Sequence, residues 1–375
     1  MPIKVLWYLS FADGRYPWCA DGLLAVDAGR YLELAKAIEA AGFYGAMVAT
    51  WPNDPLVSAA YVASHTQRIK LLVASYARLT PPKLLAQQML TFDTLTGGRL
   101  LLNLINGRDN IMRAYGMTAA HAERYALGID YWRKFCFSYK QGAQSWFPNT
   151  PLVLPPTQPG GVQLWGTGDS PAGIAHTAEL ADVYLTMMRE SQVIGPKFAN
   201  ARAAAAAQGR QFTDLGALAS VTVRETEAEA REAFYAMFEH TGAEALAAKL
   251  NEAILRRTAG RRDFNTFQAA DARRQGWLEQ LRKRQLPSLR SLQLEGHLYA
   301  GITAWATLDV FGIGSSATYF VGDGLQVARQ LQDYQRSLGL SALILSGWPL
   351  LEEAGHTARW LLPLLSAQPL PATDR

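Results

Sequence analysis

An apolar run, Arg99-Leu100-Leu101-Leu102-Asn103-Leu104-Ile105, breaks into Asn106-Gly107-Arg108-Asp109, and the next helical pattern opens with His121-Ala122-Glu123-Arg124-Tyr125. A spacing of four puts His121 and Tyr125 on one helix face. In a parallel α/β barrel the chemistry is built at the carboxyl ends of the strands, so this is where a phosphate-bearing cofactor would be gripped. A helix start adds free amides and a dipole that favour an anion. In isolation such a pair is a surface histidine and a packed tyrosine; its place just after Asn106-Gly107 turns the reading towards a site.

The elements around these residues alternate. Strand-like runs fall at 4–10, 45–50, 70–75, 99–105, 162–166, 183–187, 218–223 and 341–346, each apolar enough to be buried on both faces. Helical patterns lie between them, at 28–41, 81–96, 123–138 and 170–180 among others. Repeated strand–helix units with buried strands imply a parallel sheet, and eight of them imply a closed (β/α)8 TIM barrel. The chain, 1–375, is expected to form one such domain, with an insertion over about 225–320 that acts as a lid. Within it, 261–294 is highly charged and poor in apolar residues, and is expected to pack loosely.

Of the 375 residues 49% are hydrophobic and 18% charged, enough for a large core and unlike a disordered chain. The formal charge of +4 is concentrated between Asn251 and Glu295, where ten Lys and Arg face five acids. That segment lacks the interleaved aromatics of a single-strand nucleic-acid binder, so a solvated basic face is expected and no nucleic acid. No run reaches membrane-spanning length and no signal peptide is visible, so a cytoplasmic protein with no membrane association is expected. Cys19 and Cys136, neither in a Cys-x-x-Cys pair, predict neither a disulfide framework nor a metal site.

The chain resembles the bacterial luciferase-like flavin monooxygenases, and within them the alkanesulfonate monooxygenase branch. The resemblance runs nearly end to end, through Leu6-Trp7-Tyr8-Leu9, Thr66-Gln67-Arg68-Ile69-Lys70, Asp93 to Arg99, Asn103 to Gly107, His121 to Tyr125, Val321-Gly322-Asp323-Gly324 and Ser346 to Ala354. It implies reduced FMN as a diffusible cosubstrate, oxygen activation at the flavin, a transient NAD(P)H:flavin reductase partner and a homodimer or homotetramer. By position, His121 and Tyr125 look like the pair that meets the FMN phosphate, with Gly166-Thr167-Gly168-Asp169-Ser170 as a phosphate loop. Thr167 and Ser170 can donate to phosphate oxygens; Asp169 would repel them and suits a helix cap better. Asn103 and Asn106 fall near the flavin ring edge, where an amide can both donate and accept, although a buried Asn paired with backbone is an equal reading.

The branch's sulfonate-binding residues are mostly replaced. Its Arg and His in the seventh strand fall on Leu218 and Ser220, its lid Arg on Ile313, and its Tyr and His after the eighth strand on Trp348 and Leu350. An unpaired sulfonate in an apolar pocket carries a desolvation cost of several kcal/mol, so alkanesulfonates are not expected as substrates. Tyr8, Phe11, Trp51, Tyr76, Met187, Met188 and Trp348 remain at strand ends, a set suited to a hydrophobic, aromatic or heterocyclic molecule. Asn103, Ser220, Tyr76 and Trp348 are the candidates for the catalytic set. The alternatives are a deazaflavin-dependent hydride-transfer enzyme and a non-catalytic flavin-binding relative.

Overall fold

Runs of Val, Ile and Leu without a polar face must be covered on both sides. The computed structural model describes residues 2–107, 109–118, 121–140, 154–168, 170–312 and 317–365, with backbone alone at 109–110, 121–122 and 138–140. Its elements are β1 (Lys4–Leu9), α1 (Ala28–Ala40), β2 (Gly45–Val48), α2 (Pro55–Ala63), β3 (Lys70–Tyr76), α3 (Pro82–Leu95), β4 (Leu100–Ile105), α4 (Asp109–Ala114) and α5 (His121–Lys140). There follow β5 (Gln163–Thr167), α6 (Pro171–Leu180), β6 (Val183–Met187), α7 (Ser191–Ala206), β7 (Asp214–Arg224), α8 (Glu227–Thr241), α9 (Ala243–Arg257), α10 (Ala272–Arg282) and α11 (Leu289–Leu292). The chain then forms β8 (Gln293–Glu295), β9 (Leu298–Ala300), β10 (Thr318–Asp323), α12 (Gly324–Leu338), β11 (Leu340–Ser346) and α13 (Leu350–Trp360).

Strands β1 to β7 pair in chain order and in parallel, and β11 pairs with both β1 and β7, which closes a TIM barrel of eight strands. These are the eight runs expected from sequence. The seventh is longer than its apolar stretch because it serves two partners along one edge. β6 lies against Asp214–Leu218, and β10 takes over opposite Ser220–Arg224, while β11 occupies the other edge at both Leu218 and Ser220. β10 was not expected as a strand; it joins the sheet only through this extension.

Alternate side chains of each strand face the barrel axis. Leu6, Leu72, Leu101, Trp165, Val183, Leu185, Ala342 and Ile344 form one buried cluster there. Their neighbours Val5, Trp7, Leu71, Val73, Leu100, Leu102, Leu343 and Leu345 pack into the larger cluster beneath the helices. At the amino-terminal end the Lys4 ammonium meets the Asp214 carboxylate at 2.6 Å and helps close the barrel floor.

Several of the motifs that carry the family resemblance lie at that floor or at helix starts. Glu39 accepts the amides of Gln67, Arg68 and Ile69, and buried Asp93 accepts the Thr157 amide at 2.9 Å and Gln158 Nε2 at 2.8 Å. Arg99 donates to Thr66 Oγ1 at 3.0 Å and to the Ala63 carbonyl at 2.7 Å. Asp323 and Gln326 form a capping box that starts α12.

The excursion between β7 and β10 is anchored rather than loose. Trp277, Leu278 and Leu281 of α10 are buried in the main core, against the expectation for 261–294. Arg274 is buried too, where the basic face was expected to be solvated: its Nε donates to the Asp309 carbonyl at 2.8 Å. Asp309 also takes Arg189 Nη1 at 3.0 Å, and Arg189 Nε reaches Glu190 at 3.0 Å, so a buried ionic cluster ties the excursion to the end of β6. No helix among the described residues is long and apolar enough to cross a membrane.

Candidate active site

By the alternation of each strand, the side chains one step beyond the interior cluster look into the carboxyl-terminal mouth. They are Tyr8 on β1, Asn103 on β4, Thr167 on β5, Met187 on β6, Ser220 on β7 and Ser346 on β11. Asn103 is 2% exposed and its amide oxygen has no hydrogen-bond partner among the described residues. Of the two readings of Asn103, paired with backbone or free for a ligand, the second matches this oxygen. Ser220 Oγ and Ser346 Oγ are 2.8 Å apart, so these two hydroxyls satisfy each other. Tyr76 pairs with Thr50 Oγ1 at 3.0 Å.

Three aromatic rings gather over β1 and β11. Tyr8 lies 4.8 Å from Trp305 and 6.3 Å from Trp348, and the two indoles are 5.7 Å apart, centroid to centroid. Burial pushes the Tyr8 hydroxyl well above the ordinary tyrosine range, so it remains a neutral donor. Trp305 comes from the excursion, and nothing in its local sequence marks it as a site residue.

The phosphate candidates converge from three elements. Tyr125 of α5 reaches the first turn of α6: a methyl group on Gly173 would lie 2.8 Å from the Tyr125 hydroxyl and 2.9 Å from Gly168 Cα. Ser170 caps α6, its Oγ accepting the Gly173 amide at 3.1 Å. Burial raises the Tyr125 pKa, with Asn106 and Ser170 pulling the other way, so the phenol is held as a donor beside a helix N-terminus. Arg124, missed in the sequence, is buried and donates from Nη1 to the Asn106 and Gly107 carbonyls, each at 2.9 Å, which fixes the loop after β4. The Asp169 assignment, Ile313 and the His121 side chain lie outside the described residues.

His176 was also missed. It sits one turn into α6, 3% exposed, its ring 6.4 Å from that of Tyr125, and neither ring nitrogen has a hydrogen-bond partner among the described residues. Burial lowers its pKa to about 4, so it is neutral in neutral solution.

Other candidates sit elsewhere. Gly166 belongs to β5, where a methyl group would strike Thr177 of α6 at 2.6 Å; its smallness serves helix–strand packing rather than a phosphate cradle. Met188 is 0% exposed within the core beneath the helices, because it falls on the outward phase of the β6 alternation next to Met187. Phe11 stacks on Tyr31 of α1 at 4.2 Å, and Trp51 is 63% exposed at the rim.

A phosphate held at the start of α6 would leave Asn103 and the aromatic trio facing the rest of a flavin nucleotide across the mouth. Tyr125 and the open first turn of α6 fit its phosphate, and the unmatched Asn103 oxygen fits a ring N–H. The chain matches the family model "Luciferase-like monooxygenase" over residues 16–341. Among solved structures it is similar to EDTA monooxygenase from Chelativorans sp. BNC1, at 19% identity and TM-score 0.68, covering 97% of this chain and 93% of that one. It is also similar to a long-chain alkane monooxygenase, at 17% identity and TM-score 0.71 over 97% and 91% of the two chains. A riboflavin lyase solved with modified FMN and riboflavin gives 16% identity and TM-score 0.69 over 99% and 94%. With its barrel closed by β11 and its family match spanning most of its length, the chain belongs to the luciferase-like monooxygenases, a family of flavin-dependent enzymes.

Proposed function

We propose that the protein is a two-component monooxygenase that takes reduced FMN from a separate NAD(P)H:flavin reductase and oxygenates a hydrophobic, aromatic or heterocyclic small molecule. The observation that carries the substrate class is the trio of Tyr8, Trp305 and Trp348 over the mouth, beside a Ser220–Ser346 pair. There a cation would serve a sulfonate. Tyr125, Ser170, Thr167 and Gly168 hold the phosphate, together with His121, and Asn103 holds the ring edge. Reduced flavin and O2 together supply one oxygen atom to the substrate and leave the other as water. The protein's share is to orient both molecules and keep water out, with the excursion between β7 and β10 as the cover.

The test is binding followed by turnover. Anaerobically reduced FMN should bind the protein, and Tyr125→Phe should weaken it by about 10- to 100-fold, the loss of one hydrogen bond to a charged group. With a flavin reductase, NADH and oxygen, an aromatic or heterocyclic panel should yield products heavier by one oxygen atom. Sulfite release from octanesulfonate should stay at background. Binding of a reduced deazaflavin but not of reduced FMN would overturn the cofactor, and robust sulfite release would overturn the pocket.

A further inference from the structure

The loop after β1 is folded on itself. The Leu24 amide donates to the Asp13 carbonyl at 2.9 Å, Cys19 to the Tyr16 carbonyl at 2.8 Å and Gly22 to the Cys19 carbonyl at 3.1 Å. A methyl group on Gly22 would fall 2.5 Å from the Tyr16 carbonyl oxygen, so the closed turn requires glycine there. This turn presents Cys19 and Asp21 to the last turn of α8, where Trp18 Nε1 donates to Thr241 Oγ1 at 2.8 Å. His240 stacks on Tyr16 at 4.4 Å, with Nε2 3.3 Å from Asp21 Oδ1. The Cys19 sulfur, an Asp21 oxygen and a His240 ring nitrogen all lie within 4.8 Å of one another.

We propose that Cys19, Asp21 and His240 form a binding site for a divalent cation of the zinc class. Thiolate, imidazole and carboxylate together suit a borderline-soft ion, whereas magnesium and calcium prefer oxygen alone. Tetrahedral bonds of about 2.0–2.1 Å to N and O set those donors about 3.3 Å apart, the spacing His240 and Asp21 already have. Binding replaces the Cys19 thiol proton, which leaves to solvent, and a water molecule takes the fourth position. The closed turn and the ring stack order two donors in advance, which lowers the entropy cost of gathering them.

The ion would staple the β1 loop to α8. Arg15, Tyr16 and Trp18 of that loop line a cavity of about 270 Å³ together with Trp348 and Arg224. Metal occupancy therefore fixes part of the lining of a cavity that Trp348 also lines.

The experiment uses the full-length protein stripped with a chelator and titrated with Co2+, then with Zn2+. We expect a single equivalent of Co2+ with a thiolate-to-cobalt absorption band that Zn2+ displaces. Cys19→Ser should abolish the band, Cys136→Ser should keep it, and His240→Ala or Asp21→Asn should weaken binding by about tenfold or more. Zn2+ should raise the thermal midpoint of the wild type and leave that of Cys19→Ser unmoved. Binding without a thiolate band, or equal affinity in the Cys19→Ser/His240→Ala double variant, would mean an adventitious surface ion and overturn the proposal. Should Cys19→Ser fail to fold, His240→Ala decides, since His240 lies outside the loop.

Discussion

Among the described residues no donor meets the buried amide oxygen of Asn103, and an unmatched polar atom of that kind costs about 1–3 kcal/mol. A position that serves packing alone would not retain it. Asn103→Leu, a swap of similar shape, should raise the denaturant midpoint of the flavin-free protein while weakening reduced FMN binding. A loss of both stability and binding would make Asn103 an ordinary core residue. His176 carries a different signature, because its pKa falls from 6.5 to about 4 on burial. Above pH 6.5 it is neutral in both folded and unfolded chains. Between pH 6.5 and 4 the unfolded chain binds a proton that the native one refuses, so stability falls on acidification, by a total of roughly 3 kcal/mol at about 1.4 kcal/mol per unit. Urea midpoints measured from pH 7 to pH 4 should drop more steeply for the wild type than for His176→Leu; parallel curves would show that His176 is not the cause.

At the scale of elements, the excursion behaves as part of the core. Trp277, Leu278 and Leu281 bury the inner face of α10, and Arg189, Glu190, Asp309 and Arg274 join the excursion to the end of β6 through buried charges. Removing one partner of such a cluster leaves its neighbours buried and uncompensated, at a cost of about 3–5 kcal/mol. Arg189→Ala should therefore lower the unfolding midpoint substantially, and deletion of 273–284 should give insoluble protein rather than a folded barrel. A soluble, cooperatively folding deletion would show that α10 is dispensable. The charged composition of 261–294 misled because helix α10 needs only its few apolar residues on one face to be held, and a count of charges does not register that face.

For the molecule as a whole, the eight barrel strands were legible because each is buried on both faces and reads as an unbroken apolar run. The site was legible only in part. Asn103, Tyr125 and Ser170 could be named as candidates because strand ends and helix starts have local signatures, whereas Trp305 over Tyr8, Ser346 against Ser220 and His240 beside Cys19 are meetings of distant segments. A single sequence gives residue types, not their partners. Several of the conspicuous motifs proved structural: Asp93 and Arg99 knit the barrel floor, far from the mouth, and Asp323 caps a helix.

The double pairing of β7 has a further consequence. Arg224 and Asp323 are register partners on adjoining strands, so the chain leaves the barrel and returns to it at neighbouring points, about 5 Å apart by ordinary strand spacing. Everything from Glu225 to Gly322 is therefore a cassette whose two ends coincide. Such a segment can be exchanged for that of a relative without moving a barrel strand only where the replacement brings its own partner for the far half of β7 and its own counter-charges for the buried Arg189 and Glu190. Trp305 travels inside that cassette, so one exchange would alter the ring facing Tyr8 and Trp348 while leaving Tyr125, Ser170 and Asn103 where they stand.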